Sequence, residues 1–150
     1  MTSVKELYRM ADQQNIAIDL FPLGKREALS FMELTGECYI AIDPRKLTSE
    51  ADERNKLAHE LGHCCTGAFY NRYSPYDCRK RQENRADKWA IQKLIPSDDL
   101  DEAIALGCTE LWQLAEHFGV SEDFIRKAVC YHVHGNLATE LYFGDTRYEI

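Results

Sequence analysis

Ser49-Glu50-Ala51-Asp52-Glu53-Arg54-Asn55-Lys56-Leu57-Ala58-His59-Glu60-Leu61-Gly62-His63-Cys64-Cys65 reads as one amphipathic helix. Ser49 followed by acids has the form of a capping box, and Leu57, Ala58, Leu61, Cys64 and Cys65 supply an apolar stripe. Within it lies a His-Glu-x-x-His run. Residues four apart on a helix share a face, with Cβ atoms roughly 5–6 Å apart, so His59 and His63 can grip one cation from the same side. Glu60, beside them, is placed as the base that takes a proton from an attacking water.

Upstream, Val4, Leu7, Tyr8 and Ala11 repeat at helical spacing. Residues 16–21 read as a short strand stopped by Pro22. Residues 28–34 and 38–42 read as two strands joined at Thr35-Gly36-Glu37, a hairpin closed by Asp43-Pro44. Cys38–Ile42 is the strand expected to offer an edge to an extended peptide. Downstream, Gly67 ends the motif helix and residues 71–78 read as a loop. Residues 80–95 read as a second helix, stopped by Pro96. Three more follow, capped by Ser97-Asp98-Asp99, Thr109 and Ser121. The order is helix, small sheet, then several helices, an α+β chain. The organisation expected is a core over 1–96, a helical subdomain over 97–134 packed on it, and a tail over 135–150 with no assigned structure.

A chain of 150 residues with 45% hydrophobic and 29% charged residues is ordinary globular material, which excludes disorder. A net charge of −7 argues against binding driven by nucleic-acid phosphates. Lys5, Glu6, Arg9 and Asp12 stand where a signal peptide needs an apolar core. No apolar run approaches the ~18 residues of a membrane span. The expectation is a cytoplasmic protein, off the membrane, whose six cysteines are mostly reduced.

Catalytic zinc takes three protein ligands and keeps one position for water. The third ligand is read as Glu83, twenty residues after His63 on the returning helix. Glu83, Asp87, Ala90, Ile91 and Leu94 share a helical face, and small Ala86 and Ala90 let two helices approach closely. Asp87, one turn beyond Glu83, is placed to accept the second N–H of a ligand histidine. The chemistry implied is metal-assisted hydrolysis of a peptide bond, with one zinc per chain. Tyr70, Tyr73 and Tyr76 are candidate donors to the oxyanion. Cys64 and Cys65 read as core thiols and His117 as a surface or core histidine. Cys78 stands near Glu83 as a further thiol. His132 and His134 would share a face if their segment were a strand, and a second metal there is disfavoured.

The run His59-Glu60-Leu61-Gly62-His63, together with Glu83, Ala86, Asp87, Trp89, Ala90, Leu94, Ile95 and Pro96, resembles the ImmA/IrrE family of zinc metallopeptidases. Arg85 stands where the family often has Glu, and Asp87 where it often has Asn. The resemblance implies a zincin-like fold, a small antiparallel sheet packed with an active-site helix pair. It implies His59, His63 and Glu83 as zinc ligands and Glu60 as catalytic base. It also implies a place beside a phage or mobile-element repressor, with that helix-turn-helix DNA-binding protein as the substrate. The alternative is a non-catalytic zinc-binding regulator, an anti-repressor that acts by binding.

Residues 111–126 themselves look like a helix-turn-helix. The would-be recognition helix opens on Glu122 and Asp123, which repel phosphate, so direct nucleic-acid binding is not expected. Residues 71–93 are the opposite. Arg72, Arg79, Lys80, Arg81, Arg85, Lys88 and Lys93 face only Asp77, Glu83 and Asp87, a balance that can steer an acidic partner or simply coat a solvated helix.

Overall fold

The computed structural model describes residues 1–143. The described residues form two compact units, Thr2–Lys93 and a second that begins at Leu94. In the first, α1 (Val4–Gln13) starts at Ser3, whose hydroxyl accepts from the Glu6 N–H. Leu7 and Ala11 turn its apolar face inward.

Three strands follow: β1 (Ala17–Leu20), β2 (Ala28–Met32) and β3 (Cys38–Ile42). β2 and β3 form the expected antiparallel hairpin, with Ser30 opposite Ile40, and its turn closes through Glu33 N–H to Glu37 O at 2.8 Å. Gly36 carries φ +89°, a conformation that costs a side-chain-bearing residue dearly. The sheet is mixed rather than purely antiparallel. Its order is β1-β3-β2, and β1 pairs parallel to β3. β3 is therefore the central strand, which corrects the expectation that it offers a free edge. The reason lies in its composition: Cys-Tyr-Ile-Ala-Ile is apolar on both faces and nearly all buried, whereas β1 and β2 are partly exposed. After β3, Asp43 is fully buried and accepts from the Leu23 and Arg45 N–H groups, fastening the β1–β2 connection to the end of the sheet. The Arg45 side chain, with these N–H donors, outweighs the cost of burial and holds the Asp43 carboxyl well below the usual carboxylate range.

α2 (Glu50–Thr66) runs from Ser49, whose hydroxyl accepts from Asp52 N–H at 3.0 Å, to Gly67 at φ +67°. Leu57, Ala58 and Leu61 are fully buried. Cys64 in its last turn is joined by a disulfide to Cys38, with Cα atoms 6.0 Å apart. The start of β3 and the end of α2 meet, which corrects the reading of Cys64 as a core thiol. Cys65, Cys78, Cys108 and Cys130 are free.

α3 (Tyr76–Leu94) begins four residues earlier than read. Ser74-Pro75 ends the loop, and the Arg79 N–H already donates to Pro75 O. α2 and α3 meet at glycine. A Cβ built on Gly62 would stand 2.5 Å from Ala86 O and 3.0 Å from Ala86 Cα. Arg85 donates to Thr66 O at 2.7 Å, satisfying a carbonyl at the C-terminal end of α2. That gives the arginine a structural task of its own at this position.

The second unit holds α4 (Ser97–Ala105), α5 (Leu111–Phe118), α6 (Glu122–His134) and α7 (Thr139–Phe143). Pro96, not Ser97, is the cap residue of α4. The cap of α5 is Glu110, paired with Gln113 in a capping box, rather than Thr109. α5 and α6 join through Gly119 at φ +64°, and Ser121 caps α6 by accepting from Phe124 N–H. α7 occupies part of the tail; residues 144–150 lie outside the described ones.

Gly62→Ala tests the helix crossing. The added methyl must push α2 from α3, and overpacking of this kind costs about 1–3 kcal/mol. A thermal melt should show a lowered midpoint, and the variant should bind zinc more weakly because Glu83 retreats with α3. An unchanged midpoint and unchanged metal affinity would remove Gly62 from this role.

Candidate metal centre

The ligand atoms of His59, His63 and Glu83 all lie within 4.8 Å of one another, the one such group of three among the described residues. α2 presents both histidines by its four-residue spacing, and α3 brings Glu83 across from the opposite side. His59 Nε2 stands 2.8 Å from Glu83 Oε2, His63 Nε2 3.3 Å from Glu83 Oε1, and the two Nε2 atoms 3.2 Å apart. Donors around a tetrahedral zinc with bonds of roughly 2.0–2.1 Å stand roughly 3.3 Å from each other. The set is two imidazoles and one carboxylate, the hard and borderline donors that suit zinc in an open, three-ligand site. By spacing and by chemistry these residues fit a zinc ion.

The surroundings orient each ligand. His59 Nδ1 faces Asp87 Oδ1 at 2.9 Å, the contact expected from the spacing of Asp87 on α3. His63 Nδ1 faces the carbonyl of Ala68, just past the Gly67 cap. With each Nδ1 held this way, each Nε2 is left to point at the cation site. Tyr70 donates to Glu83 Oε1 at 2.6 Å. Glu60 is largely buried and, with His63, Tyr70 and Glu83, lines a cleft of about 520 Å³.

The charges follow this geometry. Burial works against a charged His59, but Asp87 and Glu83 on its two nitrogens outweigh it and push the ring up to about 10. His63 is likewise raised, burial being overcome chiefly by Glu83. Burial pushes the Glu83 carboxyl up, yet His59, His63 and Tyr70 together hold it well below the usual range. Burial and the Glu83 hydrogen bond raise the Tyr70 hydroxyl to about 12, so it remains a donor at neutral pH.

Other candidates fall elsewhere. Tyr73 and Tyr76 are exposed and do not line the cleft; Arg72 lies over the Tyr73 ring. Cys78 is outside the ligand cluster. His132 and His134 sit in helix α6, not a strand. His132 Nε2 meets Ile95 O at 2.7 Å, and His134 stacks on Tyr142 with centroids 3.7 Å apart. His117 is exposed beside Phe118. Arg26 and the Ala68 carbonyl escaped the sequence reading. Nothing in the local pattern of a loop says which distant cleft it will border.

The metal-free centre should carry a proton on His59 up to about pH 10. A cation requires the neutral ring, so uptake releases that proton, and affinity should rise with pH by up to roughly tenfold per unit below that value. Zinc titration calorimetry in two buffers of different ionisation heat measures the release. Equal heats at pH 7 would mean the ring is already neutral.

Among the described residues no helix is long and apolar enough to cross a membrane. No curated protein matches the chain. Over residues 11–129 the chain matches the IrrE N-terminal-like domain family, Peptidase M78. That span covers both strands of the hairpin, the whole of α2 and α3, and most of α6. With a His-His-Glu cluster at the heart of the matched segment, the chain belongs to the Peptidase M78 family, a family of zinc metallopeptidases.

Proposed function

We propose that this protein is a zinc-dependent endopeptidase, with His59, His63 and Glu83 as ligands of one zinc and Glu60 as general base. The observation that carries the reading is the convergence of His59, His63 and Glu83, whose ligand atoms all lie within 4.8 Å of one another, beside a cleft that also holds Glu60. When bound, zinc lowers the pKa of a water towards ~7 and polarises a carbonyl. Glu60 accepts the proton of the attacking water and returns it to the leaving amine. Asp87 and the Ala68 carbonyl keep the two rings aimed. Tyr70, a neutral hydroxyl at the cleft wall, is the group nearest to hand for donating to a developing oxyanion, once released from Glu83.

The substrate is an extended stretch of polypeptide. β2 is an edge strand, paired with β3, and its Leu29 and Ser30 line the cleft. A peptide laid along this edge would gain main-chain hydrogen bonds and run past Glu60. The protein partner we propose is a helix-turn-helix repressor of a phage or mobile element, met in the cytoplasm. The second unit is read as an aid to that encounter rather than a DNA binder. α6 opens on Glu122 and Asp123, and Arg126 is tied to Asp123 at 2.8 Å rather than free to meet phosphate.

Glu60→Gln separates cleavage from binding. Purified protein should contain about one zinc per chain. On the repressor encoded by the neighbouring gene, the variant should keep its fold and zinc and lose about 10²–10⁴-fold in rate, with a chelator abolishing cleavage by the parent. If the variant relieves repression in cells as well as the parent does, the protein acts as a non-catalytic anti-repressor.

A further inference from the structure

Three arginines line the cleft beside the metal-ligand cluster: Arg26 from the β1–β2 connection, Arg72 from the α2–α3 loop and Arg79 from the first turns of α3. All three are exposed, and among the described residues none of them is in an ion pair. By contrast Arg45, Lys46, Lys56 and Arg126 are each tied to a nearby acid. Among the described residues the acids on the cleft lining are Glu60 and Glu83, and both belong to the proposed catalytic set.

The loops that carry these arginines are built rather than loose. Lys46 donates to Arg26 O at 2.8 Å, and Asp43 N–H to Glu27 O at 2.9 Å, which fastens the Arg26 segment to the sheet. Arg72 stacks 4.9 Å above the Tyr73 ring and donates to its hydroxyl. The Asn71 side chain accepts from Tyr73 N–H, and Ser74 N–H donates back to Asn71 O. Arg79 rides on a helix whose first bond is to Pro75 O. Arg26 and Arg79 line the same cleft as Tyr70, and their charges work to lower its hydroxyl pKa. Of the basic stretch 71–93, Arg72 and Arg79 line the cleft, while Arg85 donates to Thr66 O and Lys93 lies over Trp89.

We propose that Arg26, Arg72 and Arg79 form an acid-recognition rim that selects polypeptide segments carrying Asp or Glu close to the bond held over Glu60. This rests on the peptidase reading and names the chemistry of its substrate. Guanidinium forks match carboxylates in geometry as well as charge. The chain as a whole carries −7 and repels an acidic polypeptide at long range. Screening limits that repulsion to about 8–10 Å at ordinary ionic strength, inside which the rim decides. Arg26 comes from one connection and Arg72 and Arg79 from another, so acids at more than one position of an extended peptide can be met.

The test uses three fluorescein-labelled peptides with the same apolar centre flanked by Glu, Gln or Lys. Their binding to the zinc-loaded Glu60→Gln protein is followed by anisotropy, and their cleavage by the parent by mass spectrometry. Three exposed ion pairs should make the Glu peptide bind about tenfold more tightly than the Gln peptide, with the Lys peptide weakest. The preference should shrink as salt rises. In Arg26→Gln/Arg72→Gln/Arg79→Gln the Glu and Gln peptides should bind alike. Equal binding of all three peptides to the Glu60→Gln protein, no binding of any, or a preference that survives the triple substitution overturns the proposal. Should the triple variant fail to fold, the peptide ranking and its salt dependence on the Glu60→Gln protein decide alone. An arginine-dependent acid preference without cleavage by the parent would instead reject the peptidase reading and leave the acid site standing.

Discussion

Everything at the centre of this protein depends on how closely two helices can cross. α2 carries two imidazoles on one face; α3 carries the carboxylate that meets them. The ring and carboxylate atoms stand 2.8–3.3 Å apart only because the backbones touch at Gly62 and Ala86. A side chain at position 62 has no room, since the volume it needs is filled by Ala86 O. Glycine normally weakens a helix interior by about 1 kcal/mol. Here the cost is offset by an approach that no other residue permits. Arg85 adds to the same junction by satisfying a carbonyl at the end of α2.

The electrostatics of the centre suit a cation and little else. His59 is flanked by Asp87 and Glu83, and Glu83 is shared among His59, His63 and Tyr70. Without a metal, protons hold this cluster together. With one, the same contacts keep ring orientation while the charge is met by the ion. Both imidazoles keep Nε2 for the cation because a carboxylate or a carbonyl occupies Nδ1. The cleft beside this cluster has a basic rim on a chain that is acidic overall, so its local field differs in sign from that of the whole.

The sheet supplies the other wall. Its apolar strand β3 is covered on both sides, and the less apolar β2 is pushed out to the edge beside the cleft. The disulfide from Cys38 to Cys64 ties the start of that central strand to the residue after His63. The strand that fixes the core and the helix that carries the histidines are thereby one mechanical unit.

Local pattern determined a good deal on its own. Helical periodicity and the Ser49 cap marked α2, and a 3.6-residue repeat put His59 beside His63 and Glu83 beside Asp87, because such spacing is a property of one helix alone. The hairpin was legible from Gly36 between two apolar runs, and α6 from Ser121. The lineage itself was legible in the resemblance of the His59–His63 and Glu83–Pro96 segments. What local pattern could not settle was anything requiring two distant segments to choose a partner. Strand order was one such matter: β1 and β2 each pair with one edge of β3, whose buried apolar residues take the centre of the sheet. The Cys38–Cys64 bond was another, since six thiols allow many pairings and only packing selects one. The start of α3 shifted because Pro75 opens a helix as readily as it ends a loop. The arginine rim drew Arg26 from one connection and Arg72 and Arg79 from another. Its assembly belongs to the tertiary structure, because charges far apart in the chain acquire a common field only when the fold brings them to one cleft.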